Sequence, residues 1–236
     1  MIQPHLFIFD MDGLLFDSER SYMHEIAKVM AEYGYTLTEE NYKRVVGRRF
    51  PDTEQIMKSI YGEQLSYLAV ISKARPRMLE MAAEGRLAVK PGIRELLCYL
   101  KELDIPCVVA SSSYEETVKV YLQGTGLSDY FSFIIGGDQV KKGKPDPEVF
   151  LRCCEAAGVS PEQAMIFEDS EYGVQAGIAA GIPVICIPDM VEPPEELVPQ
   201  LFALCRDGFE AKEFLRCHLN KEVLLPNSDA ADQDLD

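Results

Sequence analysis

The sequence predicts an α/β protein: a Rossmann-like parallel sheet core with helices on both faces, and an all-α cap domain inserted after the first strand. Three observations predict it. A short apolar run, Leu6-Phe7-Ile8-Phe9, stops at Asp10-Met11-Asp12-Gly13. From Glu19 to Arg86 the apolar spacing is helical and contains no convincing strand. After Pro91-Gly92, short apolar runs alternate with helical stretches as far as Ile187, which is the pattern of parallel strands joined by helical crossovers.

The elements follow in order. The first strand covers about Leu6–Asp10, and its unbroken apolar character suits burial on both faces. In the helical stretch, Thr38 ahead of Glu39-Glu40 and Pro51-Asp52 are helix starts, giving helices over Arg20–Tyr33, Glu39–Val46, Asp52–Ile60 and Gln64–Ala83. Ile93, Leu96, Leu97 and Leu100 then form an i, i+3, i+4, i+7 stripe. Strands are expected at Cys107–Ala110, Phe133–Ile135, Ala164–Phe167 and Pro183–Ile187, with helices over Tyr114–Gly124, Pro147–Ala157 and Gly173–Ala180. Ser160-Pro161-Glu162 reads as a helical turn before Ala164. The domain reading is a discontinuous core of residues 1–16 and 88–220, a cap of residues 17–87 with hinges near Leu14–Ser18 and Leu87–Pro91, and a disordered polar, acidic tail over 221–236.

Composition narrows the function. The 236 residues carry 23 basic against 39 acidic side chains, a net charge of -16, which argues against a nucleic-acid phosphate binder. No apolar stretch is long enough to span a bilayer, and no signal-peptide pattern opens the chain. The seven cysteines form no CxxC pair and read as reduced thiols, with Cys98, Cys107, Cys153 and Cys186 in apolar patterns. The expectation is a cytoplasmic, monomeric protein acting on a small molecule, with neither a nucleic-acid nor a membrane partner.

The chemistry-bearing residues fall after the strands. Asp10 and Asp12 end the first one, where ligands bind in open α/β sheets, and paired carboxylates there suit a hard cation and a nucleophile. Ser111-Ser112-Ser113 ends the second strand ahead of a helix, and a hydroxyl beside helix-terminal amides makes a phosphate cradle. Lys144 lies between Gly143 and Pro145 after the third strand, and Glu168-Asp169 ends the fourth. Each of these has an ordinary explanation by itself: a turn aspartate, a capping serine, a solvated lysine. Their recurrence at the same edge of one sheet is the signal.

These segments, FDMDG…DSE at Phe9–Glu19, the Ser111 segment, GKPDP at Gly143–Pro147 and FEDSxxGVxAGxAAG at Phe167–Gly181, resemble the haloacid dehalogenase superfamily, in its β-phosphoglucomutase-like branch with a helical cap. The resemblance implies Asp10 as a nucleophile forming an aspartyl phosphate and Asp12 as general acid/base. It implies Ser111, Ser112 and Lys144 on the phosphoryl group, and Mg²⁺ held by Asp10, the Asp12 carbonyl, Glu168 and Asp169. In the cap, Arg48 and Arg49 are candidate substrate contacts.

Hydrolysis of a small phosphomonoester, a sugar phosphate or a nucleoside monophosphate, is the favoured reading. A β-phosphoglucomutase-type isomerase must grip a second phosphate, and Tyr114-Glu115-Glu116 after the serines puts acids where that branch's mutase carries basic and amide groups. Dehalogenation does not need a second acid such as Asp12. A non-catalytic phosphate-binding module would not need the Asp10/Asp12 pair.

Overall fold

A computed structural model describes residues 3–46, 48 and 50–219. Arg49 and the expected tail over 221–236 lie outside the described residues. The sheet has six strands in the order β3-β2-β1-β4-β5-β6, all parallel: β1 (Leu6–Phe9), β2 (Cys107–Ala110), β3 (Ile134–Ile135), β4 (Ala164–Glu168), β5 (Val184–Cys186) and β6 (Ala203–Leu204). The first strand lies in the middle, with Phe9 opposite Val109 on one side and Phe167 on the other. From β1 the chain builds outward through β2 and β3, then crosses back to β4. The switch point therefore falls between β1 and β4, the place where open α/β sheets bind ligands.

Alternate side chains of β1 serve opposite layers, as the two-residue strand period demands. Phe7 and Phe9 join Phe167 on one face, with the Phe9 and Phe167 rings stacked at 4.6 Å between centroids. That face carries the helices α5 (Ile93–Glu102), α6 (Glu115–Thr125) and α9 (Gly208–His218), whose apolar stripes supply Leu96, Val118 and Leu215. Leu6, Ile8 and Ile166 point the other way, onto α7 (Glu148–Ala157) and α8 (Glu171–Ala179).

Between β1 and α5 the chain forms a helical block of α1 (Ser18–Glu32), α2 (Glu39–Lys43), α3 (Phe50–Tyr61) and α4 (Tyr67–Ala83). They share an apolar cluster of their own, including Ile26, Met30, Tyr42, Met57, Tyr67 and Val70. The two chain segments joining this block to the sheet run side by side. Asp17 N–H donates to Ala88 O at 2.9 Å, Lys90 N–H donates to Leu15 O at 2.9 Å, and Phe16 bridges both Asp12 and Val89.

The differences from expectation sit at element ends. Helix α2 stops at Lys43 rather than Val46, and α4 starts at Tyr67 because the Ser66 hydroxyl caps Ala69 N at 3.3 Å. Neither β6 nor α9 is foreseen by the sequence. The first is two residues long, while α9 is announced by Asp207, whose side chain accepts from Glu210 N at 2.9 Å. All seven cysteines are free, but Cys98 is exposed, on the side of α5 away from its stripe.

Candidate active site

Backbone geometry sets the first two acids. Asp10 continues β1 by one hydrogen bond, its N–H donating to Phe167 O at 3.0 Å, and its side chain is buried at the switch point. The chain then turns at Gly13, whose φ of +84° disfavours L side chains; a Cβ there would also stand 2.2 Å from Asp169 Oδ2. The turn is closed by Gly13 N–H donating to Ser18 Oγ at 3.2 Å and leaves Asp12 half-buried. The Ser113 hydroxyl donates to Asp12 Oδ2 at 3.0 Å.

Lys144 crosses to this pair from the loop after β3. Its Nζ donates to Asp10 Oδ1 at 2.5 Å, to Glu168 Oε1 at 2.6 Å and to the Ala110 carbonyl at 3.3 Å. The lysine is buried, so it is a fixed charge rather than the solvated loop lysine that its sequence context also allowed.

Glu168 is fully buried and heavily used. Its Oε2 accepts from Asp169 N at 2.7 Å, Ser170 N at 2.8 Å and Ser170 Oγ at 3.0 Å, while Oε1 takes Lys144. The room for this carboxylate comes from Gly173, where a Cβ would lie 1.7 Å from Oε1. A carboxylate has about four lone-pair sites. Oε2 is saturated, and only Oε1 retains capacity for anything further.

Asp10, Glu168 and Asp169 each offer an oxygen within 4.8 Å of the others'. Packing such acids together has an electrostatic cost. Burial raises Asp10 to about 7, with Lys144 opposing the rise and Glu168 adding to it. Asp169 is raised well above the carboxylate range by burial and then by Glu168 and Asp10. Asp12 is raised too, first by burial, against the Ser18 and Ser113 hydroxyls, Lys144 and Arg75. For Lys144 burial works against the charge, yet Asp10 and Glu168 outweigh it and hold its pKa high. Ionised together, as a bound cation would allow, three carboxylates and one ammonium would carry net negative charge. Oxygen donors with that surplus fit a hard divalent cation.

These groups face a cavity of about 440 Å³. Asp10, Asp12, Ser111, Ser112, Lys144 and Asp169 line it from the sheet edge, and Glu168 lies beneath them. Glu19, Tyr22, Tyr42, Arg48, Phe50 and Tyr67 are among those lining it from the helical block. The expected residues of the sheet edge are thus brought together, and Arg48 joins them across the cavity. Ser111 is not a helix cap: α6 begins at Glu115, and the Ser111 oxygen instead accepts from Ser113 N at 3.0 Å. Glu115 and Glu116 do not line the cavity; both pair with Lys119, at 2.8 and 2.9 Å, so they repel a second phosphate less than their sequence position suggests.

Three contributors escape the sequence reading. Ser113, rather than its two predecessors, reaches Asp12. Glu19 lines the cavity with one oxygen bound by the Tyr42 hydroxyl at 2.8 Å. Asp189 pairs with Arg20 at 2.6 Å and with Lys90, tying α1 and the returning segment to the loop after β5. Only Glu19 gave a signal, through its place in the DSE segment.

The chain is similar to known proteins. Residues 7–187 match the haloacid dehalogenase-like hydrolase family. The chain is 36% identical over 178 residues to the phosphorylated carbohydrates phosphatase of Thermotoga maritima, covering 74% of this chain and 81% of that protein. It is 27% identical over 186 residues to the fructose-1-phosphate phosphatase YqaB of Escherichia coli, covering 75% and 93%. Its fold superposes on the β-phosphoglucomutase of Clostridium difficile with a TM-score of 0.72 at 21% identity, over 95% of this chain and all of that one. With the family's match spanning the strands from β1 to β5 and every acid of the switch point, the chain belongs to the haloacid dehalogenase-like hydrolases.

Proposed function

We propose that the protein is a Mg²⁺-dependent phosphatase that hydrolyses small phosphomonoesters through an aspartyl phosphate on Asp10. One observation carries the reading. Asp10 is buried at the switch point with its Oδ1 on Lys144, and a second carboxyl two residues on, held by Ser113, faces the same cavity.

In the first step an Asp10 carboxylate oxygen attacks phosphorus as the bond to the ester oxygen breaks. The electron pair leaves with that oxygen, which takes the proton of Asp12 and departs as an alcohol. The pKa of Asp12 is raised, chiefly by burial, in the direction that suits a proton donor. In the second step Asp12 takes a proton from water, the resulting oxygen attacks phosphorus, and the bond to Asp10 breaks to release phosphate. Lys144 neutralises Asp10 and the phosphoryl oxygens, and Ser111 and Ser112 supply hydroxyls from the same sheet edge. Asp10 and Asp169, with Oε1 of Glu168 and the Asp12 carbonyl, would hold Mg²⁺, which supplies charge neutralisation to the transferring group. The helical block acts as a cap that excludes water and contacts the leaving group.

Both named phosphatase relatives act on phosphorylated sugars by their names, which supports a sugar or related phosphate as substrate. A mutase would need a second phosphate site, and among the described lining residues the cations are Lys144 and Arg48 alone. Phosphate release from a panel of sugar and nucleoside phosphates, with Mg²⁺ and then with a chelator, tests the reading. Release is expected only with the cation and not from Asp10→Asn; release by Asp10→Asn at near the parent rate would overturn it.

A further inference from the structure

The helical block places one carboxylate of its described residues on the cavity, and among the described residues no cation pairs with it. Glu19 stands in the first turn of α1. Its Oε2 accepts from the Tyr42 hydroxyl at 2.8 Å, and Tyr42 is only 3% exposed, so the side chain is fixed. Among the described residues no group donates to Oε1, and this atom is not sealed in the protein interior, which leaves the cavity as its surroundings. The charged groups that act on Glu19 include Asp12, Asp189 and Asp169, all acids, and its pKa is raised to about 7, chiefly by burial. The apolar neighbours on the same wall, Val45, Val46 and Ile71, offer it nothing.

A largely buried carboxylate with one donor is costly unless a second arrives. When a bound molecule displaces water from the cavity, that molecule must supply the donor in its place, on the side away from the phosphoryl group. A second phosphate or a carboxylate would bring more negative charge, and an aryl ring brings no donor. A hydroxyl fits: it donates to Oε1, and further hydroxyls of the same molecule can meet the tyrosine oxygens nearby.

We infer that Glu19 determines substrate specificity by accepting a hydrogen bond from a hydroxyl of the leaving group. The preferred substrates are then monophosphates of neutral, polyhydroxylated alcohols, that is, sugar or polyol phosphates. This rests on the phosphatase reading for its chemistry, but the binding claim can be tested apart from turnover.

The test measures dissociation constants by calorimetry, with Mg²⁺, in the full chain carrying Asp10→Asn. The ligands are fructose 1-phosphate, sorbitol 6-phosphate, glucose 6-phosphate and inorganic phosphate. At least one sugar phosphate should bind more tightly than inorganic phosphate. Adding Glu19→Ala should weaken that ligand on the order of ten-fold or more, the usual effect of losing a hydrogen bond to a charged group, while inorganic phosphate shifts by less than about two-fold. Glu19→Gln, which keeps an acceptor and the Tyr42 partner, should recover part of the loss; it also carries the comparison if Glu19→Ala fails to fold. The inference is overturned if no sugar phosphate outbinds inorganic phosphate, or if the Glu19 variants weaken both ligands equally or neither. Selective, Glu19-dependent binding by a parent protein that releases no phosphate would instead overturn the phosphatase reading and leave the subsite standing.

Discussion

The two walls of the cavity are built differently. At the sheet edge the key side chains are held from several sides: Lys144 donates to Asp10, Glu168 and the Ala110 carbonyl, Glu168 accepts four hydrogen bonds, and Asp12 is held by Ser113. On the helical wall Glu19 has one hydrogen-bond partner among the described residues, and Arg48 is exposed. The first wall is preorganised, as stabilisation of developing charge requires. The second is left with unmet hydrogen-bonding capacity for the substrate to satisfy. Under the proposed function, the shared chemistry falls to the first wall and the choice of leaving group to the second.

Variants at the sheet edge should break activity on every ester. Asp10→Asn should lose on the order of a thousand-fold or more in kcat whatever the leaving group, because an amide is a poor nucleophile; steady-state assays on a sugar phosphate and an aryl phosphate check this. Lys144→Ala comes next. It leaves Asp10 and Glu168 buried without their cation, a change that typically costs about 3–5 kcal/mol of stability. Thermal unfolding should show that loss in the metal-free protein and a partial recovery on adding Mg²⁺.

Asp12→Ala sharpens the contrast between steps. It should lose about 10²- to 10⁴-fold on sugar phosphates, and less in the phosphorylation step with an activated aryl phosphate, whose leaving group needs no proton. Pre-steady-state bursts measure that step directly. Ser113→Ala removes one hydrogen bond to Asp12 and should cost no more than about ten-fold on sugar phosphates.

The smallest effect is in pH. Burial raises Asp10 from 3.8 and Glu19 from 4.5, each to about 7. The folded protein therefore holds protons that the unfolded chain has released, and this contribution to stability is present below the ordinary carboxylate range and lost as pH rises through about 7. The metal-free protein should have a lower Tm at pH 8 than at pH 5.5, and Mg²⁺ should raise Tm more at pH 8. Equal stabilisation by Mg²⁺ at both values would count against a cation among these acids.

The same division governs what was legible beforehand. Asp10, Lys144 and Glu168-Asp169 could be read because strand ends are sharp in sequence and a parallel sheet puts them along one edge. The choice among Ser111, Ser112 and Ser113 could not, since it depends on how the backbone turns after β2: Ser113 reaches Asp12, while Ser111 folds back on the Ser113 amide. On the helical wall, periodicity gave helices but not their rotation about the cavity. Glu19 sits in a recognisable segment, yet its partner Tyr42 is 23 residues away and its role depends on α1 and α2 packing together. The argument from Glu115 and Glu116 is weakened for a related reason, as both turn to Lys119 along their own helix.

The central claim is that Asp10 carries the phosphoryl group. Asp12→Ala with an activated aryl phosphate should let the phosphoenzyme form while slowing its hydrolysis, so it accumulates. Rapid acid quench, borohydride reduction and peptide mass spectrometry should then find the reduced residue at position 10. Reduction at another residue, or an unmodified Asp10 while aryl phosphate is still being consumed, would contradict the account.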